Sequence, residues 1–320
     1  MEKLLSESLF QFIDLIISPF TFLGSVLLWF IRRRGIGRFP IAKKIFLRVG
    51  IFPIRDHYYE PLFSPKYLTK SLNDDRHLPA IDWNVDEQLK LLNCFDYNHE
   101  LTKFPQNKAI NVDYYFDNES YGPGDSEMLY NMIRYFKPRK IIEIGSGYST
   151  LMANNAITEN LKEIHDYQCD HICVEPYEFP WLEAKGVQVI RKKVEEIDLS
   201  FFTQLDKNDL LFIDSSHIIR PQGDVLFEYL EVLPILKTGV IVHIHDIFSP
   251  KDYKSDWILK DVRFWNEQYL LEAFLSFNNS YKILSALNFL HQKHYNELSN
   301  KCPMLTRDHE PGAFYIQKIK

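Results

Sequence analysis

The 320 residues are 46% hydrophobic and 25% charged, a globular composition that excludes a disordered chain, a collagen and a disulfide miniprotein. Thirty-seven basic against 43 acidic residues give a net charge of -6, which does not suit a surface that must neutralise many phosphates, so nucleic acid is not an expected partner. The charge is uneven: residues 1–50 carry a net of +5 and residues 51–320 a net of -11. Four scattered cysteines (Cys94, Cys169, Cys173, Cys302) make no disulfide framework and point to a reducing compartment, by default the cytosol. Cys169, His171 and Cys173 share one face of an expected strand, but no second pair stands at zinc spacing, so they read as buried strand residues.

Leu15 to Ile31 is an uncharged run of 17 residues. As a helix it reaches about 26 Å, just short of a hydrocarbon core of about 30 Å. Arg32, Arg33, Arg34, Arg38, Lys43, Lys44 and Arg48 follow without an acid, among Trp29, Phe30, Phe39 and Phe46, which is the signature of a membrane interface. The basic block follows the apolar run and no small-residue cleavage site is evident, so a cleaved signal peptide fits poorly. Pro19 and Gly24 interrupt the run, leaving a full crossing and a monotopic insertion both open, with the basic block on the cytosolic side. The competing reading is an apolar helix that covers the catalytic domain or a homodimer partner.

Residues 51–120 are rich in aromatics and prolines, with one short helical pattern near Asp86 to Phe95, and read as an irregular cap. The cluster Arg55, Asp56, His57, Tyr58, Tyr59 and Glu60 has a composition suited to an acceptor lid. From Gly122 the pattern becomes regular, and residues 121–320 read as a single α/β domain. Expected strands are Lys140–Ile144, His171–Val174, Val187–Arg191, Leu210–Ile213, Val240–Ile244, Tyr281–Leu287 and Ala313–Ile319, with helices between the first five. This is an α/β pattern: a doubly wound, seven-stranded, mostly parallel sheet with an antiparallel last strand.

Ligands of such sheets bind beyond the carboxyl ends of the strands. The first strand ends in Glu143-Ile144-Gly145-Ser146-Gly147-Tyr148-Ser149-Thr150 and runs into a helix, so backbone can approach a ligand closely and Ser149 or Thr150 can cap the helix. Glu175, ending the second strand, can accept both hydroxyls of a ribose, although it lies farther along than the ~20 residues of a dinucleotide site.

The glycine loop with its preceding acid resembles the class I S-adenosylmethionine-dependent methyltransferases, and the FIDSSH and HIHDIF strand endings are similar to a subgroup of unassigned acceptor. Ser149 stands where that family often has a third glycine. The resemblance covers residues 121–320 and implies S-adenosylmethionine as cofactor. By that resemblance Gly145, Ser146 and Gly147 pass under its methionine part, Glu143 orients its amino group, Glu175 holds the ribose, and Glu195, with Glu196 as alternative, contacts adenine.

Methyl transfer from a sulfonium is an in-line displacement that a hydroxyl acceptor enters after losing a proton, a task suited to histidine. His217, three residues past Asp214, and His245, beside Asp246, are the candidates at the ends of the fourth and fifth strands. A divalent metal is the disfavoured second route: Asp214 and Asp246 match the acids of metal-dependent catechol-type relatives, but Ile247 stands in place of their asparagine. Asp125 is expected to cap the helix Ser126 to Phe136, and Arg220 and Asp224 to start a solvated one. The leading reading is methyl transfer to a hydroxyl of a small-molecule, saccharide or lipid-linked acceptor. The alternatives are a nicotinamide-dependent oxidoreductase, disfavoured by the missing third glycine, and a non-catalytic membrane-bound nucleoside-binding module.

Overall fold

The computed structural model describes residues 2–110, 113–177 and 179–320, with side chains from Glu7 onward in the first helix. The chain divides between Ser71 and Leu72 into two units, so the boundary falls inside the segment expected as a cap.

In the first unit one helix runs from Glu2 to Arg34, and its segment Glu7–Arg34 is long and apolar enough to cross a membrane. Pro19 does not interrupt it. Proline withholds the N–H that residue 15's carbonyl would accept, and the Ser18 hydroxyl donates to that carbonyl instead, at 3.0 Å. Leu9, Phe10, Phe12, Leu15, Phe20 and Leu23 are all exposed. A second helix, Pro40–Val49, starts on proline and stops at Gly50 in the left-handed conformation. Glu60 gathers Arg32 at 3.1 Å and Arg55 at 3.2 Å, fixing part of the polar cluster expected as a lid within this unit.

The second unit is built on one sheet of β1 (Lys140–Ile144), β2 (Asp170–Val174), β3 (Gln188–Ile190), β4 (Leu210–Ile213), β5 (Ile241–Ile244), β6 (Tyr281–Ala286) and β7 (Phe314–Lys318). Their order is β3-β2-β1-β4-β5-β7-β6. The first five are parallel and β7 is antiparallel to both β5 and β6, so the doubly wound α/β reading with a reversed last strand holds. Strand alternation divides the core into two. Ile141, Leu210, Phe212 and Ile241 pack with Met128, Leu129, Leu151 and Ala153 from the helices Asp125–Phe136 and Tyr148–Glu163. Ile142, Ile144, Leu211, Ile213, Val242 and Ile244 pack on the other face with Val225, Val232 and Leu271.

Side chains from residues 72–110 and 113–120 enter this core. The helix Val85–Asn93 and the loops after it supply Leu92, Phe95, Leu101, Tyr114 and Phe116 to the first cluster. The same segment supplies Glu100, whose buried carboxylate takes the Arg134 guanidinium side-on at 2.8 and 2.9 Å and the Tyr130 hydroxyl at 2.5 Å. Arg134 also donates to Asn160 and Glu163, so the helix pair is pinned by charge as well as by apolar packing. The expected cap at Asp125 is not formed: its carboxylate accepts from the backbone of Gly312 and Ala313 and fixes the entry to β7. Glu127 turns back instead and accepts from Gly124 N at 3.0 Å.

Candidate active site

At the end of β1 the chain must pass very close to β4. Gly145 has φ +74, and a Cβ there would lie 1.9 Å from the Asp214 carbonyl oxygen, so only glycine lets the two strand ends meet. Asp214 N donates to Ile144 O at 2.9 Å across this junction. The helix Tyr148–Glu163 then starts beside the loop, and Thr150 Oγ1 accepts from Gly147 N at 3.1 Å.

Glu143 is buried near the end of β1. One of its oxygens accepts from Ser149 Oγ at 2.6 Å and Thr150 Oγ1 at 2.9 Å, and the other lies 2.6 Å from His171 Nε2, whose Nδ1 is held by Asn154. It is a buried brace under the helix and lines neither cavity described below. Burial and the Glu143 charge push the thiol of its neighbour Cys173 well above the ordinary range.

Glu175 lies where β2 ends. It accepts from Tyr177 N at 2.8 Å and Ser146 N at 3.3 Å, tying the glycine loop to the loop that follows β2. Glu195 sits half-buried in the turn Val194–Glu196, while Glu196 is exposed. Ile144, Gly145, Glu175, Glu195, Asp214 and Ser215 line one cavity of about 320 Å³. Arg220 and Asp224 also line it, and Asp224 accepts from both N and Oγ of Ser216 instead of being solvated.

The ends of β4 and β5 converge on one imidazole. His217 Nε2 lies 3.2 Å from Asp214 and 3.7 Å from Asp246, while its Nδ1 lies 2.8 Å from Glu267. The Trp265 ring packs at 4.4 Å against it. His217 and Asp246 both have left-handed φ, +59 and +56, a conformation that costs about 1–3 kcal/mol per residue and is retained where surroundings dictate it. Burial alone would lower the pKa of His217, but Asp214 and Glu267 outweigh it and carry the imidazole well above 6.5. Burial would raise the Asp214 carboxyl, and the His245 and His217 rings outweigh that and hold it below its ordinary value. His245, 3.6 Å from Asp246, is raised despite burial by Asp246, Asp214 and Asp125. Behind them His243 stacks flat on Phe212, and burial with repulsion from His245 pushes it well down.

A second cavity, of about 490 Å³, is lined among others by Asp125, His245, Asp246, Lys254, Trp257 and Arg263. Asp214 borders the first cavity, Asp246 the second, and the same His217 nitrogen faces both carboxylates. Sequence reasoning brings Asp214, His217, His245 and Asp246 to this place but misses Glu267. Its only signal is its position as the first residue of the helix Glu267–Leu275.

Residues 142–247, from β1 to the end of β5, match the family model of a methyltransferase domain. The matched segment lies wholly within the second unit. Over an alignment of 171 positions the chain is 28% identical to an uncharacterised protein of Archaeoglobus fulgidus, covering 49% of this chain and 75% of that protein. Among solved structures, an S-adenosylhomocysteine-bound methyltransferase of Podospora anserina is 15% identical (TM-score 0.37) over 73% of this chain and 88% of its own. An O-methyltransferase of Bacillus cereus is 11% identical (TM-score 0.36), over 73% and 91%. The motif Gly145–Gly147 and both acid-bearing strand ends fall inside the segment matched as a methyltransferase domain.

Proposed function

We propose that this protein transfers a methyl group from S-adenosylmethionine to a hydroxyl of a small-molecule, saccharide or lipid-linked acceptor, and that its N-terminal helix attaches it to the cytosolic face of a membrane. The observation that carries the reading is a pair of cavities, one bordered by Asp214 and the other by Asp246, whose two carboxylates share the His217 imidazole. The first fits the cofactor: a glycine cradle, a carboxylate at the end of β2 for a ribose, and Glu195 farther along for a base. S-adenosylmethionine, when bound, supplies an electrophilic methyl on a sulfonium. The second cavity, with acids, imidazoles and Trp257, suits a hydroxylated acceptor.

The chain's own residues then align and deprotonate. Glu267 holds Nδ1 of His217, leaving Nε2 to face the junction, an arrangement in which a carboxylate fixes the tautomer of a general base. As the acceptor oxygen bonds to the methyl carbon and the carbon–sulfur bond breaks, the hydroxyl proton passes to Nε2. Asp214 and Asp246 stabilise the resulting imidazolium. The products are a methyl ether, S-adenosylhomocysteine and a proton.

The first test is calorimetric titration with S-adenosylmethionine and S-adenosylhomocysteine, beside a Glu175→Ala variant. Micromolar binding that collapses in the variant is expected, and folded protein that binds neither ligand refutes the reading. A second reading has one observation behind it: the ligand atoms of Asp214, His217 and Asp246 lie within 4.8 Å of one another, which fits a divalent cation able to acidify the acceptor. Methyl transfer lost on chelation and restored by magnesium or manganese would favour it over the base.

A further inference from the structure

We propose that the helix Pro40–Val49 lies in the plane of the membrane surface and recognises anionic phospholipid headgroups. This inference rests on the membrane attachment proposed above and adds to it a lipid-selective element. The helix is amphipathic in a specific way. Ile41, Ile45 and Val49 recur every four residues along one stripe and are 76%, 54% and 65% exposed, whereas Phe46, on another side, is buried within its own unit. Lys44 and Arg48 form the adjoining stripe, with Lys43 beyond, all exposed.

An apolar stripe in water beside a cationic one has few stable resting places, and charge identifies this one. Residues 32–50 carry seven cations and no acid. Among the described residues Arg32 has its acid in Glu60, while Arg33 and Arg34 lie over the rings of Trp29 and Phe30 at 4.9 and 5.7 Å. Arg38, Lys43, Lys44 and Arg48 have no carboxylate within salt-bridge distance among those residues. The preceding helix, apolar and exposed on all sides over Leu9 to Phe30, delivers this basic segment to the level where its hydrocarbon-compatible stretch ends. A headgroup layer bearing phosphates complements the cations, and the acyl boundary beneath complements the Ile41–Ile45–Val49 stripe.

The test uses the full chain reconstituted in nanodiscs of phosphatidylcholine alone or of phosphatidylcholine with phosphatidylglycerol. Bimane is attached to an Ile45→Cys variant in a Cys94→Ser background, and flotation with vesicles of both compositions runs in parallel. A blue shift of bimane emission on the anionic discs is expected. High salt and the Lys43→Gln, Lys44→Gln, Arg48→Gln triple variant should each abolish it, while flotation persists. An equal shift on both lipids, or none on either from protein that still floats, overturns the inference and spares the membrane attachment. Protein that does not float overturns both. A shift that depends on protein concentration without lipid assigns the stripe to a second copy of the chain, which also overturns the inference.

Discussion

Gly145→Ala tests the claim that β1 and β4 meet through a bare backbone. The added Cβ would stand 1.9 Å from the Asp214 carbonyl oxygen, against about 3.3 Å for an unstrained carbon–oxygen contact, so the strand ends must part by more than about 1 Å. The φ of +74 adds about 1–2 kcal/mol for a residue with a side chain, and overpacking adds about 1–3 kcal/mol. A loss of about 2–5 kcal/mol leaves a domain of ordinary stability folded but displaces Asp214, and a shift of about 1 Å in such a group costs about a hundredfold in rate. Gly147→Ala is the control: its φ of 173 is ordinary extended backbone, and its Cβ would only press the edge of the Phe179 ring at 3.0 Å, for less than about 1 kcal/mol. Urea denaturation, calorimetric titration with S-adenosylhomocysteine and methyl transfer measure the three effects. A Gly145→Ala protein as stable as its parent, with unchanged ligand affinity, would refute the reasoning about the junction.

Three further outcomes are expected. Glu267→Gln, which lines neither cavity, should leave cofactor affinity unchanged and lower kcat by roughly a hundredfold or more; the rise of kcat with pH, set in the parent by an imidazole held above 6.5, should move to lower pH once the carboxylate is gone. Retained kcat with an unmoved profile would remove His217 from the base role. Arg134→Met strands the buried Glu100 carboxylate and should cost about 3–5 kcal/mol in denaturation, much of it recovered by adding Glu100→Gln; additive losses would contradict the pairing. Glu127 is pushed up to about 7, chiefly by burial, so between pH 4.5 and 7 the folded state holds more protons than the unfolded state and stability falls as pH rises, by ~3 kcal/mol in all. Melts across that range should show the slope, and Glu127→Gln should flatten it.

Much of this architecture is written in local pattern. β1, β2, β4 and β5 announce themselves because each is a short apolar run almost wholly buried, and β1 and β4 match their expected bounds to the residue. The acids and imidazoles at the ends of β4 and β5 are legible for a related reason: polar residues that close an otherwise apolar strand must emerge at the sheet's edge, where ligands bind. What local pattern does not carry is partnership between distant segments. The Glu143 oxygen held by His171, 28 residues on, and the Glu267 carboxylate on a ring 50 residues away are pairings that neither local segment announces. The aromatic segment before Gly122 misleads in the same way. Its irregular composition suggests a cap, but Phe95, Leu101, Tyr114 and Phe116 are buried because the first face of the sheet has apolar area that two helices alone do not cover. Pro19 carries the converse lesson: a residue that breaks helices in water is kept inside one by a neighbouring hydroxyl that takes over the freed carbonyl. In each case the missing information is the identity of a second side chain, and that side chain is supplied by the fold.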